Sequence, residues 1–581
     1  MHQVTGLLLS ALRWLRQRRT GILAPLLVVL LAGCTAAHYQ KSADKEVYGI
    51  IQNVEKHIFG HTNQFSIDTE YSNRKVDSIL PDELIVSREI TNHRTLTIEG
   101  ALQLAATQSR RYQSEKDKLY LTALTLTGAR HEFSPQFFGT ITPNFERTRT
   151  GEQIGSVGSR FGVTQTLKSG GQFGVTLAND LLRYYTGDPR RSAITLISAN
   201  LSQPLLRGFG KNNPAVEALT QAERDVVYAV RTYTYFQEQF SVEIVNDYFA
   251  LLAQKDIIRN RYTNYLGRVQ STQRLEARAK DREQVMQIDQ ARQSELTAKN
   301  NYINSVANFF TSLDQFKIKL GLPLGERLYL DDNALAQLES AGLIPSAVNP
   351  DAAFRAAIDN QVLVLNAIDK FEDSQRKVRV AANRLKADIN LVGEAAIEST
   401  KPTDYANFDP DTYRAGVGLQ LDLPFDRLNE RNTYRRSLVS FETAIRDFTL
   451  ALDELKDSIN NGLRTLAQRR FNYEIQKVAL DLANRRVEST TLLLQAGRAE
   501  VRDLLDAQDS QINAENSLTA ALVDYQTTRM QLMLDIGTLN TDQPEFWLKD
   551  HLAGNADLRA RPVPTGEQNE PVRPPDFYFN N

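Results

Sequence analysis

Two regions of the chain show the same change of rhythm, from alternation with period two to the three- and four-residue steps of a helix face. From Pro214 onward, Val216, Leu219, Ala222, Val226, Ala229, Tyr233, Phe236, Phe240 and Ile244 follow helical steps. Apart from Gly267, no Pro or clear loop interrupts them until about Ala277. The pattern predicts one helix on the order of 90 Å long, at a rise of ~1.5 Å per residue. A return helix is predicted from about Asp281 to Leu320, stopped by Gly321-Leu322-Pro323. The second region gives a helix from about Thr433 to Ala496 and a return that ends at Gly537. Between these two, Gly497 supplies the backbone freedom that a helix C-terminus uses. Beyond it Val501, Leu504, Leu505 and Ile512 form one apolar face, while Asp503, Asp506 and Asp509 share a row of their own.

Each long helix is preceded by strand-like alternation. In the first block Phe137, Gly139, Ile141 and Phe145 alternate with Thr140, Thr142, Asn144 and Glu146. Phe161 and Val163, then Phe173, Val175 and Leu177, continue the pattern, and Ser192–Leu201 is strand-like as well. Turn signals from Gly151 to Gly158, at Ser169-Gly170-Gly171 and at Gly187-Asp188-Pro189 separate these runs. The second block has two runs, Ala387 to Ile397 and Ala415 to Leu423. The strands stop at Pro204 and at Pro424, which mark the strand–helix junctions. A helix precedes each block: one opens near Leu96 with Thr97 as N-cap and runs to about Arg130, the other opens at Asn349-Pro350-Asp351 and runs to about Asn383.

The order helix, strands, Pro, long helix, return helix thus occurs twice, an internal duplication. Laid on each other, Leu201 matches Leu421, Pro204 matches Pro424, Arg207 matches Arg427 and Asn212 matches Asn432. Further on Arg268 matches Arg486, Ser294 matches Ser510, Ala298 matches Ala514, Asn300 matches Asn516, and Gly321 matches Gly537. The chain divides into a signal segment (1–33), an N-terminal tether (34–95), a first repeat (96–323), a connector (324–348) and a second repeat (349–540). The tail, 541–581, is polar and rich in Pro, and is expected to be disordered or draped on the surface.

Arg13, Arg16, Arg18 and Arg19 precede a short apolar core, Ile22–Ala32, which is too short to span a bilayer as a helix. It ends in Leu31-Ala32-Gly33-Cys34, with the only cysteine of the 581-residue chain. This stretch resembles the bacterial lipoprotein processing box, which implies that Cys34 is acylated, palmitate included, and becomes the N-terminus. Thr35 rather than Asp after the cysteine implies passage to the outer membrane. A lone cysteine rules out an intrachain disulfide framework, and a net charge of −2 offers no nucleic-acid surface. No His falls within either long hairpin, and His57 and His61 have helical ligand spacing but no third ligand nearby. Gly208-Phe209-Gly210-Lys211 lacks the spacing of a phosphate loop, and His131-Glu132 has no second His at zincin spacing. The reading is of a protein that is not an enzyme and carries neither metal nor cofactor.

The duplicated order, the Gln203-Pro204-Leu205-Leu206 junction and the stretch Gly497…Asp503-Leu504-Leu505-Asp506-Ala507-Gln508 resemble the TolC family of outer-membrane efflux proteins, over about 96–540. The processing box matches that family's lipoprotein branch. The resemblance implies an α+β membrane protein, a long α-helical coiled-coil barrel continuous with a transmembrane β-barrel that trimerisation completes. The family places two strands in each repeat, four in a chain and roughly twelve in a trimer. Four strands cannot close a barrel alone, and open strand edges in lipid leave backbone groups unpaired. The two additional runs of the first block either extend outside the membrane or are not strands.

The resemblance further implies a periplasmic adaptor and an inner-membrane transporter as partners. The adaptor would meet the hairpin tips, at Lys280 and Asp281 and at Gly497 and Arg498. Asp503 and Asp506 fall where the family carries paired aspartates at the periplasmic entrance, while the first repeat has Gln287 and Gln290 there. The expected function is the exit duct of a tripartite efflux or secretion system, lipid-anchored in the outer membrane and projecting into the periplasm. The alternative is a lipid-anchored periplasmic coiled-coil protein without a channel. Such a spacer has no use for amphipathic strands at the same point of both halves. An adaptor would show one hairpin flanked by small β domains. The sequence names neither the cargo nor the energy source of the transporter.

Overall fold

The computed structural model describes residues 36–551, except 90, 150, 186–190, 279–281, 345–347, 401–405 and 424. Cys34, Lys280, Asp281 and Pro424, together with the signal segment and the tail beyond 551, lie outside the described residues.

Helix α1 (Ala36–Phe59), helix α2 (Pro81–Glu89) and strand β1 (His93–Leu96) come first. The first block follows: α3 (Ile98–Gln108), α4 (Arg110–His131), strands β2 (Gln136–Arg147), β3 (Gln153–Thr166), β4 (Gln172–Tyr184) and β5 (Arg191–Pro204), then the long helices α5 (Pro214–Arg278) and α6 (Arg282–Leu320). The connector holds strand β6 (Arg327–Leu330) and helix α7 (Asn333–Ala341). The second block has α8 (Pro350–Asn360), α9 (Val362–Asn383), β7 (Asp388–Glu398), β8 (Arg414–Asp422), α10 (Leu428–Gln495) and α11 (Val501–Ile536). Helices α5 and α10 hold 65 and 68 residues, about 100 Å each at 1.5 Å per residue. Among the described residues no helix is long and apolar enough to cross a membrane.

Both helices expected ahead of the strands break once. Ser109 (φ −66°, ψ 126°) parts α3 from α4, and Gln361 (φ −73°, ψ 112°) parts α8 from α9. The returning helices end against these breaks. Gly321, at φ +84°, has no room for a Cβ, which would lie 2.2 Å from the Gln108 carbonyl oxygen. Gly537, at φ +76°, would place one 2.9 Å from the backbone of Asn360 and Gln361. A residue without a side chain lets each helix end close on its neighbour's break. The Thr97 side chain accepts from the Gly100 N–H, and that of Asn349 from Asp351 and Ala352, so both expected N-caps are formed.

The core lies at this level. Tyr248, Phe249 and Leu252 of α5 are buried with Leu119 of α4, Leu320 of α6 and Met533 of α11. The Tyr248 hydroxyl donates to the Leu96 carbonyl at 2.7 Å and accepts from the Asp331 N–H at 3.0 Å, which ties α5 to the parallel pair β1–β6. Nearer the strands, Asp373 of α9 is buried. It takes Arg376 at 2.8 Å, Arg224 of α5 at 2.6 Å and the Tyr228 hydroxyl at 2.7 Å.

The N-terminal tether and the start of the tail are packed in part. Val47, Ile50 and Ile51 of α1 are buried. Asp44 accepts from the Tyr120 hydroxyl at 2.7 Å, and Gln113, earlier in α4, donates to the Ile67 carbonyl at 2.8 Å. Helix α1 therefore runs antiparallel to α4, with its first turn toward the strands. After α11, Phe546 and Trp547 are buried, and Arg529 donates to the Trp547 carbonyl at 2.6 Å and the Lys549 carbonyl at 2.8 Å.

The remaining strands form one antiparallel sheet of six, in the order β2-β3-β4-β5-β7-β8. All four runs of the first block are strands, which excludes the alternative that two of them are not. Strand β3 takes in most of the stretch from Gly151 to Gly158 expected as a turn, because its residues pair along β2. Phe137, Val163, Val175, Ala199, Ala395 and Ala415 are successive partners across the whole sheet. On the same face the next rung carries Phe161, Leu177, Ile197 and Ile397. The opposite face is mostly polar or small, with exceptions that include Phe138, Leu182 and Leu196, and carries Thr164, Gly174, Asn200, Glu394 and Gly416 on one rung. One face suits hydrocarbon and the other water.

Candidate functional site

At the tip of the second hairpin, α10 closes with a double cap. Gly497, at φ +70°, donates to the Leu494 carbonyl at 3.1 Å, and the Arg498 N–H reaches the Leu493 carbonyl at 2.9 Å. This is the Schellman arrangement, which needs a left-handed residue at Gly497. Glu500 then caps α11 reciprocally: its side chain accepts from the Asp503 N–H, and the Asp503 carboxylate accepts from the Glu500 N–H at 3.1 Å. Asp503 therefore has a local structural role as well as a charge, and the positive end of the helix dipole favours that charge.

Asp506, one turn on, is exposed and lies 4.0 Å from Arg502. An exposed pair at that spacing contributes little. Asp509, the next in the row, meets Arg268 of α5 at 2.7 Å. Arg268 is only 1% exposed and also donates to the Leu505 carbonyl at 2.8 Å and to Asn264 at 3.0 Å. Burial lowers the Arg268 pKa, against the opposing pull of Asp509. Sequence reasoning noted Arg268 as a duplicated position and missed this bond. A polar cleft of about 270 Å³ between α5, α6 and α11 continues from it, lined by Asn264, Ser294, Asn301, Asp509 and Asn516.

The structure thus brings Gly497, Arg498, Asp503 and Asp506 together at one tip and staples that tip to α5 through Arg268. At the other end, Pro204 closes β5 opposite Asn390. The Gly208 N–H just beyond it donates to the Asn383 side chain at 2.8 Å, and Arg207 meets Glu430 of α10 at 3.5 Å. These bonds fix the strand–helix junction across the two halves. Among the described residues no cluster of three or more His, Cys, Asp or Glu could hold a metal, and the His61 ring simply contacts the Phe59 carbonyl at 3.1 Å.

No family model matches this sequence, and no curated protein matches it significantly. The fold does match solved structures. The CmeC outer-membrane channel of Campylobacter jejuni aligns with a TM-score of 0.56 at 13% identity, over 76% of this chain and 85% of that one. The outer-membrane protein VceC of Vibrio cholerae gives 0.54 at 13% identity, over 76% and 96%. The open state of the MtrE channel of Neisseria gonorrhoeae gives 0.55 at 12% identity, over 76% and 88%. Two of these neighbours are outer-membrane channels and the third is an outer-membrane protein. The chain has their fold, a mostly helical body joined to an antiparallel sheet, as the TolC resemblance implied.

Proposed function

We propose that this protein is an outer-membrane channel, the exit duct of a tripartite efflux or secretion assembly built from three copies of the chain. The observation that carries this reading is the six-stranded sheet with one apolar and one polar face, set at the end of two helical hairpins about 100 Å long. A sheet of that kind is stable in a bilayer once its edges are paired. The hairpins, too polar to enter lipid, form the part of the tube that crosses the periplasm and pack side by side. Cys34 carries the lipid that anchors the chain. Asp503 and Asp506 form the periplasmic gate, where three copies of each carboxylate around a narrow axis attract cations. The tips at Lys280–Asp281 and Gly497–Arg498 receive a periplasmic adaptor, which couples the duct to an inner-membrane transporter. Purified full-length protein reconstituted in a planar bilayer should give discrete single-channel conductance. Protein that is folded and inserted yet gives no conductance would overturn this reading and favour a lipid-anchored spacer.

A further inference from the structure

The hairpin β3–β4 has the build of barrel wall. Its strands hold 14 and 13 residues, against 12 in β2 and 14 in β5. About ten residues suffice for a tilted strand to cross a bilayer. The apolar rung of Phe137, Val163, Val175 and Ala199 passes straight through it. Its other face carries Arg160, Thr176 and Asp180, on the side where β5 and β7 carry Ser198, Asn200 and Glu394. The turn at its base is not free. The Ser169 carbonyl accepts from the Gly210 N–H at 2.9 Å, the Ser169 hydroxyl donates to Gln203 at 2.6 Å, and a Cβ on Gly170 would lie 2.3 Å from the Gly208 carbonyl oxygen. The hairpin is therefore seated in the junction where β5 passes into α5, level at its base with its neighbours. At its far end it runs with β2 and β5 past the last β5–β7 rung, Leu196–Glu398.

Both edges of this sheet are open. Among the described residues β2 pairs only with β3, and β8 only with β7. The two edges carry exposed apolar residues, Phe137 at 83% and Val417 at 82%. The six strands alternate in direction, so β8 of one copy meets β2 of another in the antiparallel sense the rest of the sheet uses. Such a head-to-tail contact closes into a ring when the rotation allows it.

We infer that β8 pairs with β2 of the next copy, and that three copies close a barrel of eighteen strands rather than twelve. This rests on the trimeric channel proposed above. Barrel diameter grows roughly linearly with strand number. With strands ~4.8 Å apart and tilted ~40°, the backbone diameter is about 36 Å for eighteen strands and about 24 Å for twelve. Beneath the sheet the helical wall takes four helices from each chain, α4 leading into β2, α5 leaving β5, α9 leading into β7 and α10 leaving β8. The β3–β4 hairpins therefore hang from no helix, and the barrel flares wider than the tube beneath it.

The test is a spin-label distance in full-length protein in lipid nanodiscs, carrying Ser198→Cys with Cys34 left intact and read against the parent protein, which reports any label on Cys34. Ser198 lies mid-strand on the polar face. Three equivalent backbone sites should be about 31 Å apart in an eighteen-stranded barrel and about 21 Å apart in a twelve-stranded one. A single distance near 30 Å is the expected result. A distance near 20 Å in an intact, conducting trimer would overturn the inference and leave the channel reading standing. No defined distance together with no conductance would overturn both. In a second protein residues 148–190 are replaced by a two-residue turn that joins β2 directly to β5. Its distance should fall by about a third, and an unchanged distance in a folded trimer would also overturn the inference.

Discussion

Asp503 caps a helix and carries a charge at the tip, and two substitutions separate these roles. Asp503→Asn keeps an acceptor for the Glu500 N–H and removes the charge, whereas Asp503→Ala loses both, at about 0.5–2 kcal/mol of helix stability. If the carboxylates form the gate, combining either change with Asp506→Ala should weaken divalent-cation block and cation preference alike, read from single-channel reversal potentials. Parent values in both double variants would remove Asp503 and Asp506 from the gate. The glycines offer a stability comparison. Gly321→Ala and Gly537→Ala combine a positive φ with backbone atoms inside 3 Å, while Gly497→Ala meets nothing within 4 Å. The first two should lower the melting temperature clearly more than the third, whose cost is the backbone term of about 1–2 kcal/mol alone. The pairing of Gly321 with Gly537 was legible because one constraint was written twice. Arg268 was not, because its burial depends on α11, more than two hundred residues away in the chain, and nothing local distinguishes it from the exposed Arg486.

The strands were legible as elements because period-two alternation survives in each of them, including the pair that departs from the expected count. That alternation predicts unequal tolerance of the two faces. Val417→Arg or Leu419→Arg should cost roughly 2–4 kcal/mol toward the bilayer midplane, and Gln420→Arg close to nothing. Assembly measured by resistance to detergent and heat would check it, and similar tolerance on both faces would argue against a barrel. The breaks at Ser109 and Gln361 left no Pro or Gly in the sequence, since what enforces them is the approach of Gly321 and Gly537 from other elements. Helix α9 is held to α5 by the bonds at Asp373. Burial works against its charge, but Tyr228, Gln221 and Arg376 outweigh it and hold the carboxyl below its usual range. Its contribution is full above the ordinary Asp value near ~4 and is lost as pH falls through the depressed native value. Asp373→Ala should cost about 1–3 kcal/mol, because the Tyr228 hydroxyl loses its acceptor while Arg224 keeps Asp369 and Arg376 keeps Glu217. Asp373→Asn should flatten the loss of stability in denaturation curves below about pH 4.

At the scale of the molecule, the order of the elements could be read from the sequence, but the seating of the N-terminal segment could not. Its apolar positions are few, and their partners, among them Tyr120 and Tyr233, lie in other elements. Metabolic labelling with palmitate should mark the parent protein and not Cys34→Ala, and equal labelling of both would exclude that anchor. A lipid on Cys34 would be separated from α1 by Thr35 alone. Helix α1 meets α4 where Asp44 bonds to Tyr120. Ala36 is eight residues earlier, about 12 Å along a helix that points toward the strands. It therefore stands level with the last turns of α4, just below the start of β2. An acyl chain there would act less as a mooring rope than as a load line on a hull. It would set the draught at which the sheet floats in the bilayer, and a flexible insert before Ala36 would leave the protein moored but free to ride at the wrong depth.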